Sequence, residues 1–285
     1  MNKEKDINKL KILAANIRKN VVRMVGHEGH TGHVGGSCSS ADIVAALYGY
    51  KMKHDPNNPD LEGRDKFIYS KGHAAIAQYA VLAELGYFPK EDLKYTKTLG
   101  CHLQGHPDRI KTPGIEVGTG SLGQGLSIAF GLALAMKLNN QDSKVYCVIG
   151  DGELAEGQIW EAAMASANYN VDNLIGIVDK NKLQATGPVA ERMASDPIDE
   201  KWKAFGWNVV EIDGHNMEEI VDTLDKVDNV KGQPTVIIAN TVKGKGISCA
   251  ENVVAFHNGS FTKDQYDQAI NELDELIAEL EAENE

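Results

Sequence analysis

The sequence predicts an α/β fold in which a parallel β-sheet is flanked by helices on both faces. Short apolar runs of strand length, such as KVYCVI at 144–149 and LIGIV at 174–178, alternate with longer segments whose apolar residues recur at helical spacing. Strands that alternate with helices pair in parallel through right-handed crossovers. The chain has 285 residues, of which 42% are hydrophobic, and it shows neither a repeat nor a linker. We therefore expect a single domain over residues 1–285.

The first third of the chain predicts two helices, a strand and a further helix. Residues 4–25 carry apolar side chains at helical spacing and are followed by Gly26, which ends the helix. A loop rich in glycine and histidine comes next, and then a helix from about Ser40 to Tyr50 whose start is capped by serines. The run KFIYS at 66–70 predicts a short strand that leads into another helix.

The rest of the chain continues the alternation. The predicted elements are a closely packed helix at 121–138, the strands at 144–149 and 174–178, a loop at 182–198, a strand from Trp207 to Ile212, a helix that Asn216 and Glu219 cap reciprocally, a strand at 235–240 and a final acidic helix that starts near Thr262.

Composition excludes several classes of protein. The net charge of −12 argues against a nucleic-acid-binding protein, which needs Lys and Arg to neutralise phosphates. The N-terminal segment is charged and amphipathic and lacks the apolar core of a signal peptide, and no run approaches the roughly 20 apolar residues of a membrane span. The four cysteines are scattered, so we expect reduced thiols and a cytoplasmic location; Cys147 lies in a predicted strand and should pack in the core.

Two polar residues follow predicted strands. Asp151 stands between Gly150 and Gly152 after one strand, and Asn181 follows the next. Ligands of open α/β sheets bind at the carboxyl ends of the strands, so both side chains are expected there. Carboxylate and amide oxygens suit Mg²⁺, which usually keeps part of its shell for a substrate phosphate. Glycines beside the acid permit close approach of a diphosphate.

The segment 150–181 also resembles the thiamine diphosphate signature, in which the acid and the asparagine hold the metal beneath the diphosphate. Further strings resemble transketolases: TGHVGGSCSSADI (31–43), SKGHAAIAQYA (70–80), GHPDRIKTPGIEVGTGSLGQGLS (105–127) and KGKG (243–246). The resemblance implies a family organisation of three consecutive domains: a diphosphate-binding domain, a pyrimidine-binding domain and a C-terminal domain. A chain of 285 residues holds only the first, so it looks like the N-terminal subunit of a split transketolase.

The resemblance implies roles for particular residues. It implies thiamine diphosphate and Mg²⁺, with Ca²⁺ or Mn²⁺ as substitutes. Four histidines are implied as catalytic residues of the substrate channel: His33, His73, His106 and His257. The implied cofactor-binding residues are His73, Gly120, Ser121, Leu122, Gly150, Asp151, Gly152, Glu156, Asn181 and His257, and the implied metal ligands are Asp151, Asn181 and the backbone carbonyl of Leu183.

Some residues have competing interpretations. His27, His30 and His33 are spaced three apart, which suggests zinc, but a glycine-rich loop offers little rigidity for such a site. The family's usual proline after the third histidine is Val34 here.

Two charged motifs are also open to more than one interpretation. Glu156 either complements a helix dipole or, as the resemblance implies, lies at an interface between subunits. Lys243 and Lys245 have the pattern of solvated lysines.

The implied activity is transfer of a two-carbon ketol unit from a ketose phosphate to an aldose phosphate, in the pentose phosphate pathway. A separate C-terminal subunit would supply the pyrimidine-binding domain and its glutamate, with two copies of this chain in a heterotetramer. Two alternatives remain: an α-like chain of another thiamine diphosphate enzyme, which the string at 105–127 disfavours, and a non-catalytic module that binds thiamine diphosphate.

Overall fold

The computed structural model describes residues 3–283, with side chains from Ile7 onward. Across this span the main sheet has five strands, and every pairing in it is parallel. Its strands are β1 (Lys66–Tyr69), β2 (Val145–Gly150), β3 (Leu174–Lys180), β6 (Asn208–Asp213) and β7 (Thr235–Asn240), in the spatial order β1-β2-β3-β7-β6. The short strands β4 (Leu183–Gln184) and β5 (Gly187–Pro188) pair antiparallel in a separate hairpin.

Helices cover both faces of the main sheet, as the sequence predicts. Short 3₁₀ turns connect several of them, and one segment, Leu47–Lys51, is a π-helix. The α-helices are α1 (Lys3–Val25), α2 (Val34–Ser39), α3 (Ala41–Ala46), α4 (Ala75–Glu84), α5 (Gln124–Leu138), α6 (Gly157–Asn168), α7 (Val189–Arg192), α8 (Ile198–Ala204), α9 (Met217–Lys226) and α10 (Lys263–Ala282). Among the described residues, no helix is long and apolar enough to cross a membrane.

Side chains of the central strands alternate between two apolar layers. On β2, Tyr146 and Val148 pack with residues of α1, α3 and α4, whereas Val145, Cys147 and Ile149 pack with residues of α5, α6 and α8. Successive side chains of a strand point to opposite faces, so a strand buried on both sides must be apolar throughout. This explains why the central strands read as continuous apolar runs, and it confirms the expected core position of Cys147.

The region after the first helix differs from the sequence-based prediction. The chain turns at Gly26, where φ is +62°, and the next helix begins at Val34 rather than near Ser40. Ser40 breaks this helical region into α2 and α3, and its side chain makes no capping bond. Its hydroxyl instead donates to the backbone carbonyl of Gly36 at 2.8 Å, one turn back. The sequence did not predict α2 because the helix contains Gly35 and Gly36, and glycine has low helix propensity.

Two further local predictions were incomplete. The side chain of Asn216 caps α9 by accepting the N–H of Glu219, but the Glu219 carboxylate accepts from Asp213 rather than from the backbone of Asn216. The segment 182–198 is not a plain loop, since it contains the β4–β5 hairpin and α7. This hairpin packs beside the end of β3 and forms part of a cavity wall.

The carboxyl ends of four strands meet at one edge of the sheet. Gly150 at the end of β2 is in register with Asp179 of β3, and Lys180 of β3 is in register with Asn240 of β7. Residues that follow β1, β2, β3 and β7 are therefore brought together, although they lie far apart in the sequence. In an open α/β sheet this edge is where ligands bind.

Candidate functional site

A cavity of about 290 Å³ lies at this carboxyl edge. Most of the residues singled out in the sequence line it: His33, His73, Gly120, Leu122, Gly150, Asp151, Gly152, Asn181, Leu183 and His257. Among them are residues that follow β1, β2 and β3, and one, His33, that directly precedes α2. The strand order thus explains how residues from distant motifs meet.

Asp151 is held at the end of β2 by backbone donors. Its Oδ1 accepts the N–H of Gly152 at 2.8 Å, and its Oδ2 accepts the N–H of Lys182 at 2.5 Å. Burial, together with the nearby carboxylate of Asp179, raises the pKa of Asp151 to about 6. A cation bound beside this carboxylate would favour its ionised form.

Asn181 presents a fixed amide. Its Nδ2 donates to Asp179 at 3.0 Å, so the opposite atom, Oδ1, is the one that accepts, here from the N–H of Leu183 at 3.1 Å. The Leu183 carbonyl accepts a hydrogen bond from Lys243 at 2.8 Å. Asp151, Asn181 and Leu183 therefore bring a carboxylate, an amide and a carbonyl oxygen to one cavity, which is the donor chemistry of a hard cation.

Three imidazoles form a cluster in the cavity wall. The ring centroids of His33, His73 and His257 are 4.9 to 5.5 Å apart. Burial and nearby cations lower the pKa of His33 and of His257 to about 4, and the pKa of His73 to about 2. The cluster is therefore neutral near pH 7. Each ring can then both donate and accept a hydrogen bond, which suits contact with hydroxyl groups.

The sequence-based interpretation was wrong about Lys243. It is not a solvated lysine, because only 2% of it is exposed. Its Nζ lies in the cavity wall, 2.8 Å from the Leu183 carbonyl and 3.1 Å from Nδ1 of His257. Burial and the neighbouring charge of Lys71 lower the pKa of Lys243 to about 8, so the ammonium is still protonated at pH 7. Lys245, by contrast, remains partly exposed beside Glu251.

A buried ion pair in the cavity wall, whose lysine lines the cavity, was missed in the sequence. Lys71 donates to Asp179 at 2.5 Å, and Asp179 also accepts from Ser39 at 2.6 Å and from the hydroxyl of Thr241. Burial opposes both charges, but their mutual attraction outweighs it, so the pKa of Lys71 is raised and that of Asp179 is lowered. This carboxylate ties the residues that follow β1 and β7 to the end of α2. In the sequence, the signal that could have indicated this ion pair was Lys71, the lysine of the SKGHA motif.

Glu153, two residues beyond Asp151, was also missed. It is buried, lines the cavity, and accepts from the N–H groups of Gly123 and Gly150 at 2.8 and 3.0 Å. Ser70 donates to the same carboxylate at 2.5 Å. Glu153 thereby fixes the glycine-rich segment before α5 against the end of β2.

Three predicted site residues lie outside the cavity wall and are exposed: His106, Ser121 and Glu156. His106 nevertheless packs against the cavity wall, since a Cβ built on Gly120 would lie 2.8 Å from the His106 ring. Position 120 therefore needs glycine both for this close contact and for its φ of +151°. Glu156 occupies the N-cap position of α6 without a capping side-chain bond. Its two interpretations, helix dipole and interface between subunits, both stay predictions.

The three histidines of the glycine-rich loop do not gather around one point. The ring of His27 packs against Tyr266 with centroids 5.1 Å apart, whereas His33 belongs to the cavity cluster. Among the side chains that the structure describes, from Ile7 to Glu283, no group of three or more His, Cys, Asp or Glu is placed to hold a metal ion. A zinc site built from His27, His30 and His33 therefore has no geometric support.

Comparison with known proteins identifies the family of this chain. Residues 7–274 match the family model of the transketolase, thiamine diphosphate binding domain. The chain is 45% identical over 258 residues to the 6-deoxy-6-sulfo-D-fructose transketolase subunit SqwG of Clostridium sp. (strain MSTE9), with 90% of this chain and 94% of that protein covered. It is 40% identical over 278 residues to an apulose-4-phosphate transketolase subunit of Phocaeicola vulgatus, with 98% of both chains covered.

A solved transketolase has the same fold over nearly the whole chain. The transketolase from Leishmania mexicana superposes with a TM-score of 0.79 and 29% identity, covering 99% of this chain. This chain spans only 46% of that protein, whereas it matches the two subunits over nearly their full length. The chain therefore belongs to the transketolase family and corresponds to its thiamine diphosphate-binding domain.

Proposed function

We propose that this chain is the N-terminal, thiamine diphosphate-binding subunit of a two-chain transketolase. Together with a separate subunit it transfers a two-carbon ketol unit from a ketose phosphate to an aldose phosphate. One observation carries the proposal: a single cavity joins oxygen donors for a hard cation, a buried ammonium and three neutral imidazoles. Each of these suits a different part of a sugar-phosphate reaction that depends on a metal-bound diphosphate.

The diphosphate end of the cofactor would lie beside the oxygen donors of the cavity wall. Asp151, Asn181 and the Leu183 carbonyl would hold Mg²⁺, which would neutralise charge of the diphosphate, and Ca²⁺ or Mn²⁺ would serve as substitutes. The Lys243 ammonium would contact the diphosphate directly. Gly150 and Gly152 leave room for it: a Cβ on Gly152 would already lie 2.9 Å from the Gln184 side chain. Bound thiamine diphosphate supplies the carbanion-stabilising chemistry that cleaves a ketose.

The histidines fit the substrate end. The ring of His33 lines the cavity, and among the described residues no group forms a hydrogen bond with its Nδ1, so its tautomer is free to suit a ligand. His73 and His257 would bond to the same region, and Gly120, Ser121 and Leu122 would line the path to the aminopyrimidine. We assign His106, which packs on Gly120, to the entrance of the channel. Neutral imidazoles there can donate hydrogen bonds to the sugar hydroxyls and accept hydrogen bonds from them.

The names of the relatives support a proposal for the assembly. Because both relatives are named as transketolase subunits, we propose a separate partner that carries the pyrimidine-binding domain, with two copies of each chain in a heterotetramer. We propose that residues 1–285 form one diphosphate-binding domain, since the family match spans residues 7–274. The four free cysteines support a cytoplasmic location.

The substrates are proposed to be sugar phosphates of the pentose phosphate pathway. The two relatives are named for 6-deoxy-6-sulfo-D-fructose and for apulose 4-phosphate. An assay should therefore include ketoses that end in a sulfonate as well as ketoses that end in a phosphate. The α-like chain of another thiamine diphosphate enzyme is not favoured, because the relatives above are transketolases or transketolase subunits.

The proposal is tested by reconstitution. This chain is mixed with a candidate partner that carries a pyrimidine-binding domain, taken from a neighbouring reading frame, and ketol transfer between a ketose phosphate and an aldose phosphate is measured. We expect turnover with both chains plus thiamine diphosphate and Mg²⁺, and almost none with either chain alone. Full turnover by this chain alone would refute the two-chain assignment. Cofactor binding without turnover in any mixture would favour a non-catalytic module.

A further inference from the structure

His215, in the turn between β6 and α9, links two distant parts of the molecule. Its Nδ1 lies 2.7 Å from Oδ2 of Asp42, and its Nε2 lies 2.8 Å from the backbone nitrogen of Val242. A backbone N–H can only donate, so Nε2 must be the unprotonated acceptor. The ring is therefore neutral, and its single proton is on Nδ1, which donates to Asp42.

The Asp42 end of this link is anchored. Asp42 lies on α3 and receives two hydrogen bonds from the Arg18 guanidinium of α1, at 3.1 and 2.5 Å. The side chains of all three residues are largely buried. A bidentate arginine–carboxylate pair has a defined geometry, so it holds the imidazole in one orientation.

The Val242 end belongs to the loop that carries Lys243. Thr241 and Gly244, on either side, donate to the backbone carbonyls of Lys180 and Gly35. Val242 instead donates to a side chain, so a substitution at His215 can remove its bond without altering the loop sequence. The next residue, Lys243, places its ammonium in the cavity.

We propose that His215 is a positioning residue that sets the loop of Lys243, and through it the ammonium, against the diphosphate. The inference rests on the proposed function, in which Lys243 contacts the diphosphate. What the loop requires is the acceptor at Nε2, and the bond to Asp42 serves to orient that acceptor. Asp42 and His215 do not line the cavity, so they act through Lys243.

Two isosteric substitutions separate the two ends of the link. His215→Gln places a carboxamide oxygen near the position of Nε2 and can accept from Val242. His215→Asn places an amide near Nδ1 and can donate to Asp42 but cannot reach Val242. We expect the dissociation constant for thiamine diphosphate, with Mg²⁺, to rise roughly fivefold to tenfold in His215→Asn, as expected for one lost hydrogen bond, and by less than about twofold in His215→Gln. Equal weakening in both variants, greater weakening in His215→Gln, or no change in either would overturn the proposal.

A double-mutant cycle tests whether the effect passes through Lys243. In a Lys243→Met background, His215→Asn should no longer weaken cofactor binding, whereas additive losses would mean that His215 acts elsewhere. His54→Asn is the matched control, since His54 also bonds through both nitrogens, to Tyr48 and Tyr87, but does not line the cavity. It should leave cofactor affinity unchanged; an equal loss of affinity in this control would count against the proposal.

A readout without cofactor separates this inference from the proposed function. In the unliganded chain, His215→Asn should speed amide hydrogen exchange at Val242 by about tenfold, and His215→Gln should preserve protection. Nitrogen-15 spectra of the wild type should show the imidazole protonated on Nδ1. If the wild type failed to bind thiamine diphosphate, these measurements would still decide whether His215 positions the loop. Unchanged exchange in His215→Asn would refute it.

Discussion

Lys243→Met should lower cofactor affinity and raise stability at the same time. Lys243 is a buried ammonium whose pKa is lowered from 10.5 to about 8, so folding buries a charge that would be better solvated in the unfolded chain. Methionine fills a similar volume along the side-chain stem and carries no charge. The substitution removes the cation proposed to meet the diphosphate and also removes the desolvation cost.

The magnitude follows from the structure. Lowering the pKa from 10.5 to about 8 corresponds to about 3 kcal/mol against the charged form at pH 7. Against this, the Leu183 carbonyl and Nδ1 of His257 lose a donor, which costs about 1 kcal/mol each. We expect a net gain of about 1 kcal/mol in the free energy of unfolding. Loss of a charged hydrogen bond to the diphosphate should cost about 2 kcal/mol, or roughly thirtyfold in affinity.

Urea unfolding at several pH values and calorimetric titration with thiamine diphosphate provide the assay. Because the folded pKa of Lys243 lies below the unfolded value, the free energy of unfolding of the wild type should rise between pH 8 and 10.5, and Lys243→Met should lack that rise. Lys245→Met is the control, since it removes the same charge from a partly exposed position. If Lys243→Met lost stability at pH 7 and kept its cofactor affinity, the result would refute both the cost assigned to burying the Lys243 ammonium and its proposed role in binding the diphosphate.

Other perturbations address the metal, the channel and pH. Asp151→Ala should abolish Mg²⁺-dependent binding of thiamine diphosphate with a nearly unchanged circular dichroism spectrum; persistence of that binding would remove Asp151 from the metal site. His106→Ala in the reconstituted enzyme should lower turnover far more than cofactor affinity, and the reverse pattern would mean that His106 contacts the cofactor. The folded pKa values of His33, His73 and His257 lie below the usual 6.5, so these groups bind fewer protons in the folded chain, and their contribution to the free energy of unfolding should fall from pH 6.5 to 4. Three carboxyl groups with raised pKa values, Asp151, Asp65 and Glu153, contribute in the opposite direction, so the contribution of the histidines is measured as the difference in slope between the wild type and a triple variant. Replacing all three histidines with glutamine should flatten the slope, and an equally steep slope would contradict the assignment.

The sheet was predictable from the sequence because its signal is local. Strands buried on both faces must be apolar throughout, so β2, β3 and β7 stood out as apolar runs, and their observed ends differ from the predicted ones by two residues at most. Asp151 and Asn181 were recognisable because each follows such a run. Their meeting in one cavity follows from parallel pairing, which brings the carboxyl ends of the strands to one edge.

The residues that were missed depend on contacts between distant segments. Lys243 is buried by Gly35, Leu183 and His257, which its own Gly-Lys-Gly surroundings do not reveal. Asp179 resembles an ordinary residue at the end of a strand, yet it accepts hydrogen bonds from residues that follow β1, β3 and β7. The helix at Val34 was missed because its glycines give a weak local signal.

The measurement that tests the central claim most directly is calorimetric titration of the purified chain with thiamine diphosphate, with Mg²⁺ and again with excess chelator. We predict binding that requires the metal, because Asp151, Asn181 and the Leu183 carbonyl offer oxygen ligands beside the Lys243 ammonium. Binding of equal strength in the presence of chelator would contradict the metal-bound diphosphate site. Absence of binding in both conditions, persisting when the partner chain is added, would contradict the cofactor assignment itself.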